Sequence, residues 1–262
     1  MPFKHHELRR SSAVAIAVTL LAASISDVHA QAPAFDERQK GSIEQIVKDY
    51  LLRNPEVVQD AIEELERRQQ AAQRAASALA LKEERASLTS SPHDVVIGNP
   101  SGDVTLVEFF DYNCGYCKRA KSDVDALIKA DPQLRVVLKE FPVLGPESAE
   151  ASRLAVAAKA QLSPEQARTF HGRLMETRGR VNGERVLGVA KELGLDLDRL
   201  RREAQQPSIA DVLQENARLG ERLGITGTPA FVLEQDIITG AVGFEPLRQA
   251  VANTRRCGKA VC

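Results

Sequence analysis

The sequence predicts an α/β fold, in which a mixed β-sheet contains a helical insertion and follows an N-terminal helical segment. Residues 95–97 and 104–110 are short runs of β-branched and aromatic side chains between turn residues, a pattern typical of strands. An amphipathic helix and another strand at 134–141 follow, and this order implies a parallel pair with a right-handed crossover. Two further strands, at 230–234 and 237–239, come only after a helical stretch from 147 to about 222. That interruption predicts the inserted helical domain.

The first thirty residues have the pattern of a cleaved secretory signal peptide. A basic start is followed by the small, apolar and uncharged residues 11–24, and residues 28–30 give the small-x-small pattern that predicts cleavage before Gln31. The alternative is a membrane anchor, but this run is shorter than the ~20 residues that span a bilayer. No later segment is long and apolar enough to do so. We therefore expect a mature protein without a membrane span, located in the periplasm.

The charge balance argues against nucleic acid as a partner. The chain has 35 basic and 36 acidic side chains, and removal of residues 1–30, which carry three basic and two acidic groups, changes the net charge from −1 to −2. Phosphate backbones attract proteins that present a strong positive field, which this composition does not provide.

Residues 31–92 are expected to form an N-terminal helical oligomerisation segment and linker. An apolar stripe on a first helix is followed by a heptad seam on a second, and a two-helix segment of this kind needs a partner for its apolar face. We favour assembly with other copies of the chain; the alternative is a hairpin folded onto the main domain at 93–262. Residues 87–92 are mostly polar, end in proline and predict a linker. The seam consists of Val58, Ile62, Leu65, Gln69, Ala72, Ala76 and Leu79.

A C-x-x-C motif lies where the buried strand at 104–110 turns into a helix. Cys114 is expected just before the first helical turn, where unpaired N–H groups and the helix dipole stabilise a thiolate. The basic residues Lys118, Arg119 and Lys121 add positive charge nearby. Both effects lower a thiol pKa and favour thiol–disulfide exchange, in which Cys117 can release a mixed disulfide.

Three other roles for this motif are less consistent with the sequence. A purely structural disulfide between Cys114 and Cys117 would close a very small loop and gain little entropy. A zinc site would need Cys257 and Cys262, but the spacing lacks the compact pattern of zinc knuckles. Covalent haem attachment requires histidine at position 118, where the chain has lysine.

Cys257 and Cys262 lie beyond the last predicted helix, at the end of the sequence. We interpret them as a local structural disulfide that holds the C-terminal tail, since exported proteins retain disulfides. A second redox pair and an intermolecular bridge are the alternatives, but no strand–helix junction activates either thiol. His93 and His171 have no neighbouring ligand or nucleophile in the sequence, and we expect surface or capping positions for both.

Two segments, EFFDYNCGYCK at 108–118 and GITGTPAF at 224–231, resemble the DsbA-like branch of the thioredoxin superfamily. With the N-terminal helices, they are most similar to the suppressor-of-copper-sensitivity ScsC proteins. The resemblance covers residues 40 to about 252 and implies a thioredoxin-like fold. It also implies that Cys114 is the exposed nucleophile, that Cys117 is the resolving cysteine and that Pro229 is a cis-proline. A cis bond there would turn the backbone of Thr228 towards a substrate strand.

Glu108 is the unusual residue of its strand, because it places a carboxylate within an apolar run. The resemblance implies a buried acid six positions before the nucleophile, which would accept or carry a proton for Cys117. We expect it to pair with Lys139 on the next strand. The alternative is that Glu108 faces solvent at an edge of the sheet.

The resemblance implies a homotrimeric protein disulfide isomerase that acts on misfolded or disulfide-bonded exported proteins. A membrane thiol–disulfide reductase would recycle the site, and no cofactor is required. The alternative is a monomeric dithiol oxidase that introduces disulfides into exported proteins. A further expected property is Cu(I) binding by reduced Cys114 and Cys117, because thiolates are soft ligands.

Overall fold

The structure is a computed structural model that describes residues 35–262, so the predicted signal peptide at 1–30 lies outside the described residues. The chain divides into two compact units between Ala61 and Ile62. The first contains α1 (Glu37–Arg53) and the start of α2 (Glu56–Glu83), and α2 continues into the second unit. None of the helices in residues 35–262 combines the length and apolarity needed to cross a bilayer.

The apolar stripes of α1 and α2 remain largely exposed within the single chain. On α1, Ile46 is 67% exposed and no residue of the helix is buried. On α2, Ile62 and Leu65 of the predicted heptad seam are 51% and 55% exposed. Polar groups surround these positions, so each helix is amphipathic with its apolar side in solvent.

The end of α2 and the residues after it belong to the second unit. Ala80 and Leu81 are buried against the sheet, and α3 (Arg85–Thr89) buries Leu88 in the same cluster. The polar linker expected at 87–92 therefore begins as a helix, because the apolar side chain of Leu88 packs onto the core. This arrangement differs from the domain border expected after residue 92.

Five strands form one mixed sheet in the described part of the chain, which confirms the predicted fold class. The strand order is β1-β3-β2-β4-β5, with β2 and β3 parallel and the other neighbours antiparallel. Helix α4 (Gly115–Ala130) connects the parallel pair, as the strand–helix–strand pattern predicts. The strands are β1 (Val95–Gly98), β2 (Val104–Phe110), β3 (Leu134–Glu140), β4 (Ala230–Leu233) and β5 (Asp236–Thr239).

A run of helices separates β3 from β4, as expected for an insertion. Ser163 caps one of them through a capping box with Gln166, and Gly224 ends another with a positive φ of 72° that favours glycine. A closing helix, α10 (Phe244–Cys257), follows the last strand. The inserted helices are α5 (Pro146–Ala158), α6 (Pro164–Glu176), α7 (Gly183–Glu192), α8 (Leu197–Ala204) and α9 (Pro207–Leu223).

The two faces of the sheet carry separate apolar clusters, because side chains alternate along each strand. Leu106 and Phe110 of β2 face α4, α10 and the inserted helices. Val107 and Phe109 face the end of α2, α3 and the end of α9. Phe110, the last residue of β2, is fixed by the hydrogen bond that its carbonyl accepts from Phe141 N–H (2.8 Å). The chain then turns directly into α4.

Candidate active site

Cys114 is the N-cap of α4, at the junction that the motif predicts. Its sulfur accepts a hydrogen bond from the backbone N–H of Cys117 at 3.3 Å. The first N–H groups of a helix have no partner within the helix, so they are free to stabilise a sulfur anion at this position. Both cysteines are thiols in this structure.

The two thiols have opposite acidities. Hydrogen bonding from the Cys117 side chain is the largest cause that lowers the pKa of Cys114, to about 5, and burial opposes it. Hydrogen bonds from the Thr228 side chain and from the backbone N–H groups of Cys117 and Tyr116 lower this pKa further. The same bond to Cys114, together with burial, raises the pKa of Cys117. The first sulfur is therefore the thiolate at neutral pH, and the second holds its proton.

Cys114 is less accessible than the sequence suggests. The residue is only 5% exposed, whereas Cys117 is fully buried at 0%. The nucleophile was expected to be exposed, but its side chain is largely buried because Thr228 packs against the sulfur. Cys114 remains the more accessible of the two thiols.

The Thr228–Pro229 segment lies beside the nucleophile. Its peptide bond is cis, and the carbonyl oxygen of Thr228 lies 3.2 Å from the sulfur of Cys114. β4 begins at Ala230 and pairs with β2, so the sheet brings these distant parts of the sequence together. A peptide bound at this segment would lie next to the thiolate.

Glu108 is buried in β2, on the sheet face that carries α4. It is 3% exposed, and its Oε1 atom has no hydrogen-bond partner among the described residues. Burial, and secondarily the charges of Asp125 and Cys114, raise the pKa of Glu108 to about 8. The carboxyl group is therefore mostly protonated at neutral pH, and the alternative of a solvent-facing edge position is wrong.

The expected pairing of Glu108 with Lys139 is also wrong. In the parallel register, Glu108 lies opposite Leu138 and Phe109 lies opposite Lys139, so the two charged side chains point to opposite faces. Lys139 is 1% exposed and pairs with Asp94 at 2.6 Å. Its ammonium group also donates to the carbonyl of Ser87 at 2.6 Å.

The basic side chains after the motif are used for other contacts. Hydrogen bonds are the largest of the effects that lower the pKa of Cys114, and the charges of these three groups are not among them. Lys118 donates to the carbonyls of Thr177 and Gly179. Arg119 lies over the ring of Tyr116, and Lys121 pairs with the carboxylates of Asp125 and Glu176.

His171 is buried beside the active-site strand, in contrast to the expected surface or capping position. It is 7% exposed, and its ring lies 4.8 Å from that of Phe110 and 5.7 Å from that of Tyr112. Burial, with a smaller effect of Lys121, lowers its pKa to about 3. A neutral imidazole therefore packs as an aromatic group at this position.

Asp111 and Asn113, which directly precede the C-x-x-C motif, are site residues that the sequence did not predict. Asp111 accepts hydrogen bonds from the loop after β3 and from Ser148 of α5, and Asn113 bonds to Ser148 and to Val181. Polar residues at the end of an otherwise apolar strand were the available signal, because such groups need partners when buried.

Cys257 and Cys262 form a disulfide at the end of α10, with their Cα atoms 6.3 Å apart. Within the part of the chain that the structure describes, no group of three or more His, Cys, Asp or Glu side chains is arranged to hold a metal ion. The two active-site sulfurs are thus a pair of soft donors without a third ligand of these types.

Two family matches cover most of the described chain. Residues 105–252 match the family described as the DSBA-like thioredoxin domain. Residues 39–72, which include α1 and part of α2, match the family described as the copper resistance protein ScsC N-terminal domain. The resemblance seen in the two sequence segments is therefore confirmed, together with the thioredoxin-like fold.

Individual proteins of known structure are similar over the same region. A thioredoxin-like oxidoreductase from Silicibacter pomeroyi DSS-3 is 42% identical, covers 66% of this chain and 98% of its own, and has a TM-score of 0.62. A linker-deletion mutant of Proteus mirabilis ScsC is 28% identical, covers 85% and 98%, and has a TM-score of 0.61.

A curated relative, Na(+)/H(+) antiporter NhaA 1 of Salinispora arenicola, is 29% identical over 162 residues, or 61% of this chain. The match spans only 24% of the antiporter.

Proposed function

The chain belongs to the family of DSBA-like thioredoxin domains, and on that premise we propose that it is a protein disulfide isomerase of the periplasm. The family is one of thiol–disulfide oxidoreductases. The observation that carries the proposal is the pair of unequal thiols: Cys114, whose pKa is lowered to about 5, next to the buried and protonated Cys117. The signal-peptide pattern of residues 1–30 supports the location.

The reaction begins at the sulfur of Cys114. Its thiolate attacks one sulfur of a substrate disulfide, forms a mixed disulfide and releases the other substrate sulfur as a thiolate. In isomerisation, a different substrate thiolate attacks the mixed disulfide, forms a new substrate disulfide and restores Cys114. No electrons are gained or lost overall.

Cys117 can resolve the mixed disulfide. After losing its proton it attacks the sulfur of Cys114, which releases the reduced substrate and leaves a Cys114–Cys117 disulfide. Glu108 is the proposed proton acceptor through its ionised form, which is the minority form at neutral pH, because a pKa of about 8 gives this carboxylate more affinity for a proton than an ordinary acid has. A membrane thiol–disulfide reductase would then return the pair to the thiol state.

The exposed apolar stripes of α1 and α2 support assembly into a homo-oligomer, which the resemblance suggests is a trimer. Large apolar side chains such as Ile46 and Leu65 are more than half exposed in the single chain. Burying them against other copies would gain free energy in proportion to the apolar area removed from water. Several active sites would then surround a shared space that suits misfolded substrates.

A monomeric dithiol oxidase is the second candidate, and the acidity of Cys114 favours it. A pKa well below that of an ordinary thiol stabilises the reduced pair, which makes the corresponding disulfide more oxidising. An oxidase would transfer this disulfide directly to exported proteins and would not need neighbouring active sites.

Two measurements separate these candidates. The mass of the mature protein in solution should be a multiple of the chain mass, and the protein should refold a substrate with scrambled disulfides. Leu65→Lys should reduce both the mass and the isomerase rate but leave dithiol exchange unchanged. Gln70→Lys on the other side of α2 is the matched control. A monomeric wild-type protein with full oxidase activity would contradict the isomerase proposal.

Cu(I) binding is a further candidate property of the same residues. The backbone N–H of Cys117 donates to the sulfur of Cys114 at 3.3 Å, so the two soft donors lie within one helical turn. Titration of the reduced protein with Cu(I) against a competing chelator should give one site, absent in Cys114→Ser. Equal copper binding by both proteins would exclude this site.

A further inference from the structure

Asp111 is a fully buried carboxylate at the end of the active-site strand, and four protein groups donate to it. Oδ1 accepts from Asn113 N–H (2.7 Å) and from the Ser148 hydroxyl (2.8 Å). Oδ2 accepts from the N–H groups of Val143 (2.9 Å) and Leu144 (3.0 Å). One side chain thus joins three segments: the active-site turn, the loop after β3 and the first turn of α5.

These four hydrogen bonds satisfy the carboxylate of Asp111 without a neighbouring cation. Among residues 35–262, no lysine or arginine forms an ion pair with Asp111, which is 0% exposed. A buried charge is costly unless its hydrogen bonds are complete, and a complete network fixes the positions of all its members. The structure meets this condition with four donors from three segments of the chain.

Asn113 adds a second connection to the inserted helices. Its amide donates to the Ser148 oxygen (3.0 Å) and to the carbonyl of Val181 (2.9 Å), while its oxygen accepts from Val181 N–H (2.7 Å). Ser148 therefore bridges the side chains of Asp111 and Asn113. The turn that precedes the nucleophile is held by side-chain bonds in addition to its own backbone bond.

That turn decides where the sulfur of Cys114 lies. The N–H of Cys114 donates to the carbonyl of Asp111 at 3.0 Å, and only then can Cys114 act as the N-cap that accepts from Cys117 N–H. Hydrogen bonds weaken steeply with poor distance or angle, so a small shift of the turn would loosen the contacts of the sulfur.

We propose that Asp111 is a positioning residue, whose bonds to Ser148 and to the 143–144 loop hold the nucleophile where the N–H groups of α4 can stabilise its thiolate. It acts through Cys114 and does not touch the substrate. The inference rests on the proposed role of Cys114 as the attacking group.

The experiment compares two buried serines of the same helix. Ser148 donates to Asp111, and Ser152, which is equally buried at 1% exposure, donates to Glu140 at 2.7 Å. Each alanine substitution removes one hydroxyl donor from a buried acidic side chain, so both should cost similar stability. The readout is the pH midpoint for alkylation of Cys114 in the reduced full-length protein.

Ser148→Ala should raise this midpoint by about half a pH unit, which lowers the alkylation rate below the midpoint about threefold. Asp111→Asn should raise it by about one unit and lower the rate about tenfold, because an amide N–H would face groups that are themselves donors. Ser148→Thr, which keeps a hydroxyl, should stay near the wild type, and Ser152→Ala should not move the midpoint.

Equal shifts for Ser148→Ala and Ser152→Ala, or no shift for either, would overturn the positioning role of Asp111. Failure of the proposed function is recognised separately. In that case the wild-type protein would already show the alkylation midpoint of an ordinary cysteine. Should Asp111→Asn not fold, the two serine variants decide the question.

Discussion

The sulfur of Cys114 lies 3.2 Å from the carbonyl oxygen of Thr228, although the two residues are 114 positions apart in the sequence. Pairing of β2 with β4 produces this contact. The side chain of Thr228 also lowers the pKa of Cys114 through a hydrogen bond. The segment that would receive the substrate thus takes part in the electrostatics of the nucleophile.

Thr228→Val should raise the pKa of Cys114 by about half a unit, because the hydroxyl donor to the thiolate is lost. The pH dependence of the thiolate absorbance near 240 nm measures this change. Thr226→Val, at an exposed position of the same loop, is the control and should leave the titration unchanged. Identical titration curves for both variants would show that the Thr228 hydroxyl does not lower the pKa of Cys114.

The stability of the reduced protein should fall as the pH decreases through about 5. The pKa of Cys114 is lowered from 9.0 to about 5, so its contribution is fully present above pH 9 and is lost as the folded state binds the proton. Urea unfolding under reducing conditions at pH 8 and pH 4.5 should show a difference of a few kcal/mol between wild type and Cys114→Ser that shrinks at the lower pH. A difference that does not depend on pH would contradict the lowered pKa.

Glu108 should have the opposite pH dependence. Its pKa is raised from 4.5 to about 8, so its contribution to stability is fully present below pH 4.5 and is lost as the pH rises through 8. Glu108→Gln should therefore be more stable than the wild type at pH 9 by a few kcal/mol and similar at pH 4.5.

The same substitution should slow the resolution of mixed disulfides, because the proposed proton acceptor for Cys117 is lost. Quenched-reaction gels at pH 7 would show the accumulation of enzyme–substrate adducts. Unchanged adduct levels would limit Glu108 to a structural role.

Lys139→Met should destabilise the protein by about 3–5 kcal/mol, because it leaves the buried carboxylate of Asp94 without its ammonium partner. Equilibrium unfolding at pH 8, where Asp94 is ionised, measures the loss. The double variant with Asp94→Asn should recover part of it. If Lys139→Met were as stable as the wild type, the Lys139–Asp94 ion pair would contribute nothing to stability.

The sequence determined the elements whose signals come from residues close together in the chain. Apolar periodicity identified the strands and helices, the Ser163–Gln166 capping box and Gly224 marked helix ends, and the C-x-x-C motif placed Cys114 at the start of α4. These features depend on backbone geometry and on contacts within a few residues.

Only the tertiary structure decided the partners of buried polar groups. Glu108 and Lys139 are on adjacent strands, yet the register sends them to opposite faces, and Lys139 pairs with Asp94. In the same way, three of the four donors to Asp111 come from a loop and a helix that the chain reaches only after β3. Such contacts depend on strand register and helix packing, for which a single sequence has no local signal.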